Sequence, residues 1–183
     1  MNLPSYIVTT DTETAGLNPL ENPILEVSFL SEFDYFTCAI KPSWGSIDPK
    51  AMEINKIDLD RPGFSELEAC DLIDKWLACY KELHCPNNKI VIAGHNTGFD
   101  IGFLQQLYIH AGRPVPRLFN PHRILDTHSF LHRLHVKDPD RYPLSMTNSE
   151  GAFEFFKIPV EGRHTSLGDA RAAHKLLQKL IEL

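Results

Sequence analysis

Tyr6-Ile7-Val8-Thr9-Thr10-Asp11-Thr12-Glu13-Thr14-Ala15-Gly16-Leu17 is the stretch on which the reading of this chain turns. The apolar, β-branched run over 6–10 predicts a strand, and it ends on two carboxylates, Asp11 and Glu13. Side chains alternate across a strand, so residues two apart face the same side. Two carboxylates held side by side repel each other unless a proton or a cation intervenes. Hard divalent cations such as Mg2+ and Mn2+ take oxygen ligands of this kind. A pair of solvated acids at a strand end would look the same, so this pair alone does not establish a site.

Outward from that stretch, Ile24–Leu30 and residues 35–40 read as two further strands. Ser31-Glu32-Phe33-Asp34 suits a tight connection between them, which predicts an antiparallel hairpin. Residues 41–62 are rich in Pro, Gly, Asp and Asn and predict only short helical turns. Apolar residues at helical spacing predict a helix over 65–83. The short apolar run over 89–93 predicts a strand buried on both faces, followed by a helix over 99–110. Residues 123–125 predict a last strand, leading into a helix over 127–134. Two helices, over 145–156 and Ser166–Ile181, would close the chain. A β-meander followed by alternating helices and strands implies an α/β fold, a mixed sheet flanked by helices. No repeat, low-complexity tract or linker divides the sequence, so residues 1–183 are expected to form a single domain.

Composition narrows the function classes. Of the 183 residues, 43% are hydrophobic and 23% charged, which is ordinary for a globular protein. No apolar run approaches the roughly 20 residues that span a bilayer, and the first residues lack a secretory pattern. A cytoplasmic location without membrane partners is the expectation. Cys38, Cys70, Cys79 and Cys85 show no CxxC spacing and read as free thiols. A net charge of −6 argues against a protein that coats nucleic acid through a basic surface. It leaves room for an enzyme that grips one strand end through metal ions, because the acidic residues then hold the positive charge.

Three more residues join the pair. Asp100 lies where the 89–93 strand gives way to a helix, and ligands favour strand ends in open α/β sheets. A first-turn aspartate favoured by the helix dipole would occupy the same place. Asp169 falls in Ser166-Leu167-Gly168-Asp169, which has capping-box spacing, and His164 precedes it in a loop. Each has an ordinary structural reading when taken alone.

Their order and spacing carry more. Asp11-Thr12-Glu13-Thr14-Ala15-Gly16-Leu17 resembles the first motif of the DEDDh 3′→5′ exonuclease family, and His95-Asn96-Thr97-Gly98-Phe99-Asp100 resembles the second. Ile101-Gly102-Phe103-Leu104 resembles the proofreading epsilon subunit of bacterial DNA polymerase III. His164-Thr165-Ser166-Leu167-Gly168-Asp169 has the spacing of the third motif, in its histidine branch. The resemblance covers nearly the whole chain. It implies a ribonuclease H-like mixed five-stranded sheet and two divalent metal ions, Mg2+ or Mn2+. Asp11, Glu13 and Asp169 would ligate one ion, and Asp11 and Asp100 would serve the other. His164 would be the general base, since imidazole with an ordinary pKa of about 6.5 is largely neutral near physiological pH. Nucleoside 5′-monophosphates would be released from a nucleic-acid 3′ end, with single-stranded DNA expected and RNA the alternative.

The same resemblance puts Thr12, Thr14, Leu17, Asn96 and Phe99 beside the substrate, with Ile57 from Ile54-Asn55-Lys56-Ile57. Ile57 also suits a core position, as does Phe99. Ala15 replaces a common threonine, as in members resembling ribonuclease T, and Asn55-Lys56 replaces a His-Gly pair. A DNA polymerase subunit or a second copy of the chain is the expected protein partner. The rivals are a non-catalytic nucleic-acid- or polymerase-binding module of the same fold, and a phosphohydrolase of small nucleotides. His128, His132 and His135 follow helical spacing but lack a Cys or Glu ligand at zinc-site spacing, so they read as a polar helix face. Asp126 reads as the cap of that helix.

Overall fold

The computed structural model describes residues 2–183. Five strands form one mixed sheet: β1 (Ile7–Thr14), β2 (Ile24–Leu30), β3 (Tyr35–Ala39), β4 (Val91–Gly94) and β5 (Ile124–Asp126), in the order β3-β2-β1-β4-β5. β2 runs antiparallel to β1 and to β3, while β4 is parallel to both β1 and β5. The helices are α1 (Pro49–Asn55), α2 (Glu66–His84), α3 (Thr97–His110), α4 (Thr127–Lys137), α5 (Ser149–Phe155) and α6 (Ser166–Ile181). The expected ribonuclease H-like arrangement, a mixed five-stranded sheet with helices on both faces, is what the chain adopts.

The two faces of β1 divide the molecule. Val8 joins Phe29, Ile92, Ile101 and Leu104 in an apolar cluster shared with α2 and α3. Ile7 faces the other way, against Leu177 of α6, beside a second cluster made by α4, α5 and α6. Thr9, on that second face, hydrogen-bonds the buried His174 of α6 at 2.9 Å. Asp11 and Glu13 follow Thr9 at the same alternation and so share the α6 side. Thr10 and Thr12 share the α3 side.

The structure moves three predicted boundaries. β1 does not stop before its acidic residues: pairing continues through Asp11↔Ser28, Thr12↔Val27 and Glu13↔Glu26, and shifts only between Glu13 and Thr14. The carboxylates are therefore held by a ladder, not by a strand end. The helix expected over 145–156 is two pieces, a 3-10 turn at Leu144–Thr147 and then α5. Asn148 separates them by capping Gly151 N at 2.8 Å, and an asparagine oxygen is among the best such caps. Finally, α6 is capped by Thr165, whose hydroxyl accepts from Gly168 N, and not by Ser166. Asp126 caps α4 as expected, accepting from His128 N at 3.1 Å.

Candidate active site

β1, α3 and α6 converge where β1 outruns its parallel neighbour. β4 ends at Gly94, whereas β1 continues to Thr14. The uncovered end of β1 is open to the start of α3 on one side and of α6 on the other. Carboxylate oxygens of Asp11, Glu13 and Asp169 lie within 4.8 Å of one another. Asp100 arrives from the α3 side and is not part of that tight group. Its Oδ1 accepts a 2.7 Å hydrogen bond from Thr12 Oγ1, which ties it to the other face of β1. Asp11 lies between the two sides and feels the charge of both Asp100 and Asp169.

Electrostatics marks the cluster as short of positive charge. Loss of solvent, then the charges of Asp100, Asp169 and Glu13, raise Asp11 well above the usual carboxylate range. Glu13 is pushed up to about 8, first by burial and then by Asp169 and Glu26. Asp100 rises to about 7 through burial, against the opposing Thr12 hydrogen bond. Carboxylates crowded in this way accept either protons or cations. One cation is already present: Arg163 Nη1 binds Asp169 Oδ1 at 2.6 Å, and its Nη2 reaches Ser149 Oγ at 3.2 Å. The donor set is all oxygen, and the three convergent carboxylates fit a hard divalent ion.

His164 holds its place by backbone geometry. Its φ of 61° is left-handed, a region that histidine enters more readily than most residues. Its backbone N donates to Asp169 Oδ2 at 3.2 Å. Asn96, in the loop before α3, is left-handed as well, with φ 60°, and its backbone N donates to Asp126 Oδ1 at 2.8 Å. Both loops that flank the carboxylates are thus fixed by hydrogen bonds to aspartates.

The expected substrate residues are disposed differently from one another. Leu17 is 80% exposed, and Asn96 is exposed. Phe99 is half-buried and packs on Phe103 with ring centroids 4.7 Å apart. Ile57 is half-buried. Thr12 and Thr14 are buried, with their hydroxyls committed to Asp100 and to the Gly16 carbonyl. Asn55, not Ile57, secures the loop after β1, donating from Nδ2 to Thr14 O at 3.1 Å.

Three residues at the site escaped the sequence reading. Glu26 lies opposite Glu13 on β2; its Oε1 accepts from Ser166 N and Oγ, and its Oε2 pairs with Arg61 at 2.9 Å. A glutamate inside the apolar run Ile24–Leu30 was the available signal. Arg163 and Arg61 carry no such signal, because only the fold brings them to the acids. A cavity of about 580 Å³ lies elsewhere, between α2 and the approaches to β4 and β5. Its lining includes none of Asp11, Glu13, Asp100 and Asp169.

No family model matches the chain. A DNA polymerase III PolC-type of Latilactobacillus sakei is 26% identical over 181 residues, covering 94% of this chain and 11% of the relative. Ribonuclease T of Buchnera aphidicola is 37% identical over 117 residues, covering 54% of this chain and 52% of the relative. The chain thus spans about a tenth of the first relative's length and about half of the second's. Among solved structures, exonuclease I superposes with a TM-score of 0.77 over 96% of this chain and 40% of that one, at 16% identity. E. coli exonuclease I in complex with a dT13 oligonucleotide gives 0.75, with the same coverage and identity. The named relatives are thus a PolC-type DNA polymerase and a ribonuclease, and the fold is that of exonuclease I.

Proposed function

We propose that the chain is a metal-dependent 3′→5′ exonuclease that removes nucleoside 5′-monophosphates from nucleic acid, with residues 1–183 acting as one domain. The observation that carries this reading is the convergence of Asp11, Glu13 and Asp169 on one face of β1, with Asp100 tied to the other. Asp11, Glu13 and Asp169 would hold one Mg2+ or Mn2+ ion, and Asp11 with Asp100 a second. Ions bound there would activate a water and neutralise charge on the reacting phosphate.

The chain's own residues do the rest. His164 takes the proton from the attacking water at an imidazole nitrogen. Its left-handed backbone and its tie to Asp169 keep it beside the carboxylates. Thr12 orients Asp100 and, by bonding its carboxylate, favours the ionised form that a metal ligand needs. Leu17 borders the terminal base, and the half-buried Phe99 is a ring on which an unpaired base would stack. Single-stranded DNA is the proposed substrate; E. coli exonuclease I, of the same fold, has been solved with single-stranded oligonucleotides. The PolC-type relatives support association with a polymerase as the proposed context.

Purified chain should be offered single-stranded DNA, single-stranded RNA and duplex 3′ ends, each with Mg2+ and with Mn2+. Metal-dependent release of mononucleotides, fastest from single-stranded DNA, is the expected result. His164→Ala should then lower kcat at least about 100-fold, the lower end of what a general base contributes, while leaving metal affinity intact. Full activity in that variant rejects His164 as the base. Hydrolysis of free nucleotides with all strands untouched rejects the exonuclease.

A further inference from the structure

We infer that His128 and His132 form a second metal site, one that takes a late transition-metal ion such as Ni2+, Cu2+ or Zn2+ and is separate from the carboxylate cluster. The two residues stand on consecutive turns of α4, and their Nε2 atoms converge at 3.0 Å. Side chains four apart lie on the same face of a helix. With no metal bound, one ring donates its Nε2 proton to the lone pair of the other. When that proton moves to Nδ1 of its own ring, the Nε2 lone pairs of both rings are free for one ion.

The spacing suits a metal ion. Two nitrogens 3.0 Å apart subtend about 95° at an ion held about 2.0–2.1 Å from each. That is near the right angle of square-planar and octahedral coordination, and a few tenths of an ångström more opens it to a tetrahedron. Both rings are half-buried, so water can complete the coordination. His135, the third histidine on α4, does not belong to the site, because its Nδ1 is bonded to the Tyr142 carbonyl at 2.8 Å. His95 stands edge-on to His128 with centroids 5.5 Å apart, and its Nδ1 is engaged by Thr127 Oγ1 at 3.0 Å. It borders the pair, with its Nδ1 already engaged.

Donor chemistry separates the two sites. Imidazole favours Ni2+, Cu2+ and Zn2+, with Cu2+ at the top of the affinity order, while clustered carboxylates suit Mg2+ and Mn2+. Neither site depends on the other, so this inference holds whether or not the chain is a nuclease.

The test is Ni2+ titration by calorimetry in excess Mg2+, with Cu2+ broadening of histidine ring resonances by NMR as a second readout. The wild-type chain should bind Ni2+. His128→Gln and His132→Gln should each weaken that binding at least about tenfold, and Asp11→Asn/Glu13→Gln should leave it unchanged. In the wild-type chain, trace Cu2+ should broaden the His128 and His132 resonances before those of the other histidines. Unchanged Ni2+ affinity in both histidine variants overturns the inference, as does broadening that begins at other histidines. Loss of Ni2+ binding in Asp11→Asn/Glu13→Gln alone would assign the ion to the carboxylates and overturn it too.

Discussion

Burial places Asp11, Glu13 and Asp100 in a state that proton linkage can read. All three have folded-state pKa values above the ordinary carboxylate range, Glu13 at about 8 and Asp100 at about 7. Between the unfolded values near 4 and those folded values, the folded chain holds more protons than the unfolded one. Stability must then fall as pH rises through that window. In EDTA, the melting temperature should drop between about pH 5 and about pH 8, by about 2–4 °C if the net effect is about 1 kcal/mol. Mg2+ or Mn2+ should reverse the drop, and Glu13→Gln should lessen it. A melting temperature that is flat or rising over this range in EDTA would mean the acids are not crowded as described. Thr12 offers a second residue-scale check. Thr12→Val removes the hydrogen bond to Asp100 and should weaken metal binding by about ten- to a hundredfold, the usual effect of losing a group that orients a ligand. Titration of the metal measures it, and wild-type affinity would dismiss the positioning role.

At the scale of elements, the turn into α6 is the most constrained part of the site. Gly168 packs so closely on the 161–162 loop that a methyl group there would overlap the carbonyls of Gly162 and Glu161. That contact fixes the path of Arg163 and His164 relative to Asp169. Gly168→Ala should therefore cost about 1–3 kcal/mol and should also weaken metal binding, because the loop and the helix start cannot both keep their places. Calorimetric melting and metal titration check the two effects. A variant as stable as wild type would show that the turn is loosely held. The same turn marks what sequence could and could not reveal. Period and punctuation placed α2, α6, β2 and the β2–β3 hairpin correctly, since each is long, regular and bounded by polar residues. The cap of α6 was misplaced by one residue because Thr165 and Ser166 are both hydroxyl residues, and only tertiary contact with Glu26 and Ser28 draws Ser166 inward. Asn148 inside an otherwise helical pattern was read through, although asparagine favours a helix start over a helix interior.

Across the whole molecule, the site is assembled from segments more than 150 residues apart in sequence. The motif order singles out Asp11, Glu13, Asp100, His164 and Asp169, and the fold brings their segments together at the C-terminal end of β1. Glu26 and Arg163 were not legible, because strand register and one ion pair, not motif spacing, carry them to the cluster. A net charge of −6 accords with the proposed site, whose clustered carboxylates would draw their positive charge from metal ions. The polarity of degradation tests the central claim most directly. A single-stranded DNA oligonucleotide carrying a 5′ label should be followed on a sequencing gel in Mg2+, in EDTA, and with Asp11→Ala. A ladder of labelled strands shortening one nucleotide at a time from the 3′ end, present only in Mg2+ with the wild-type chain, is the predicted result. Immediate release of the labelled 5′ nucleotide, internal cuts, or an unchanged ladder with Asp11→Ala would contradict it.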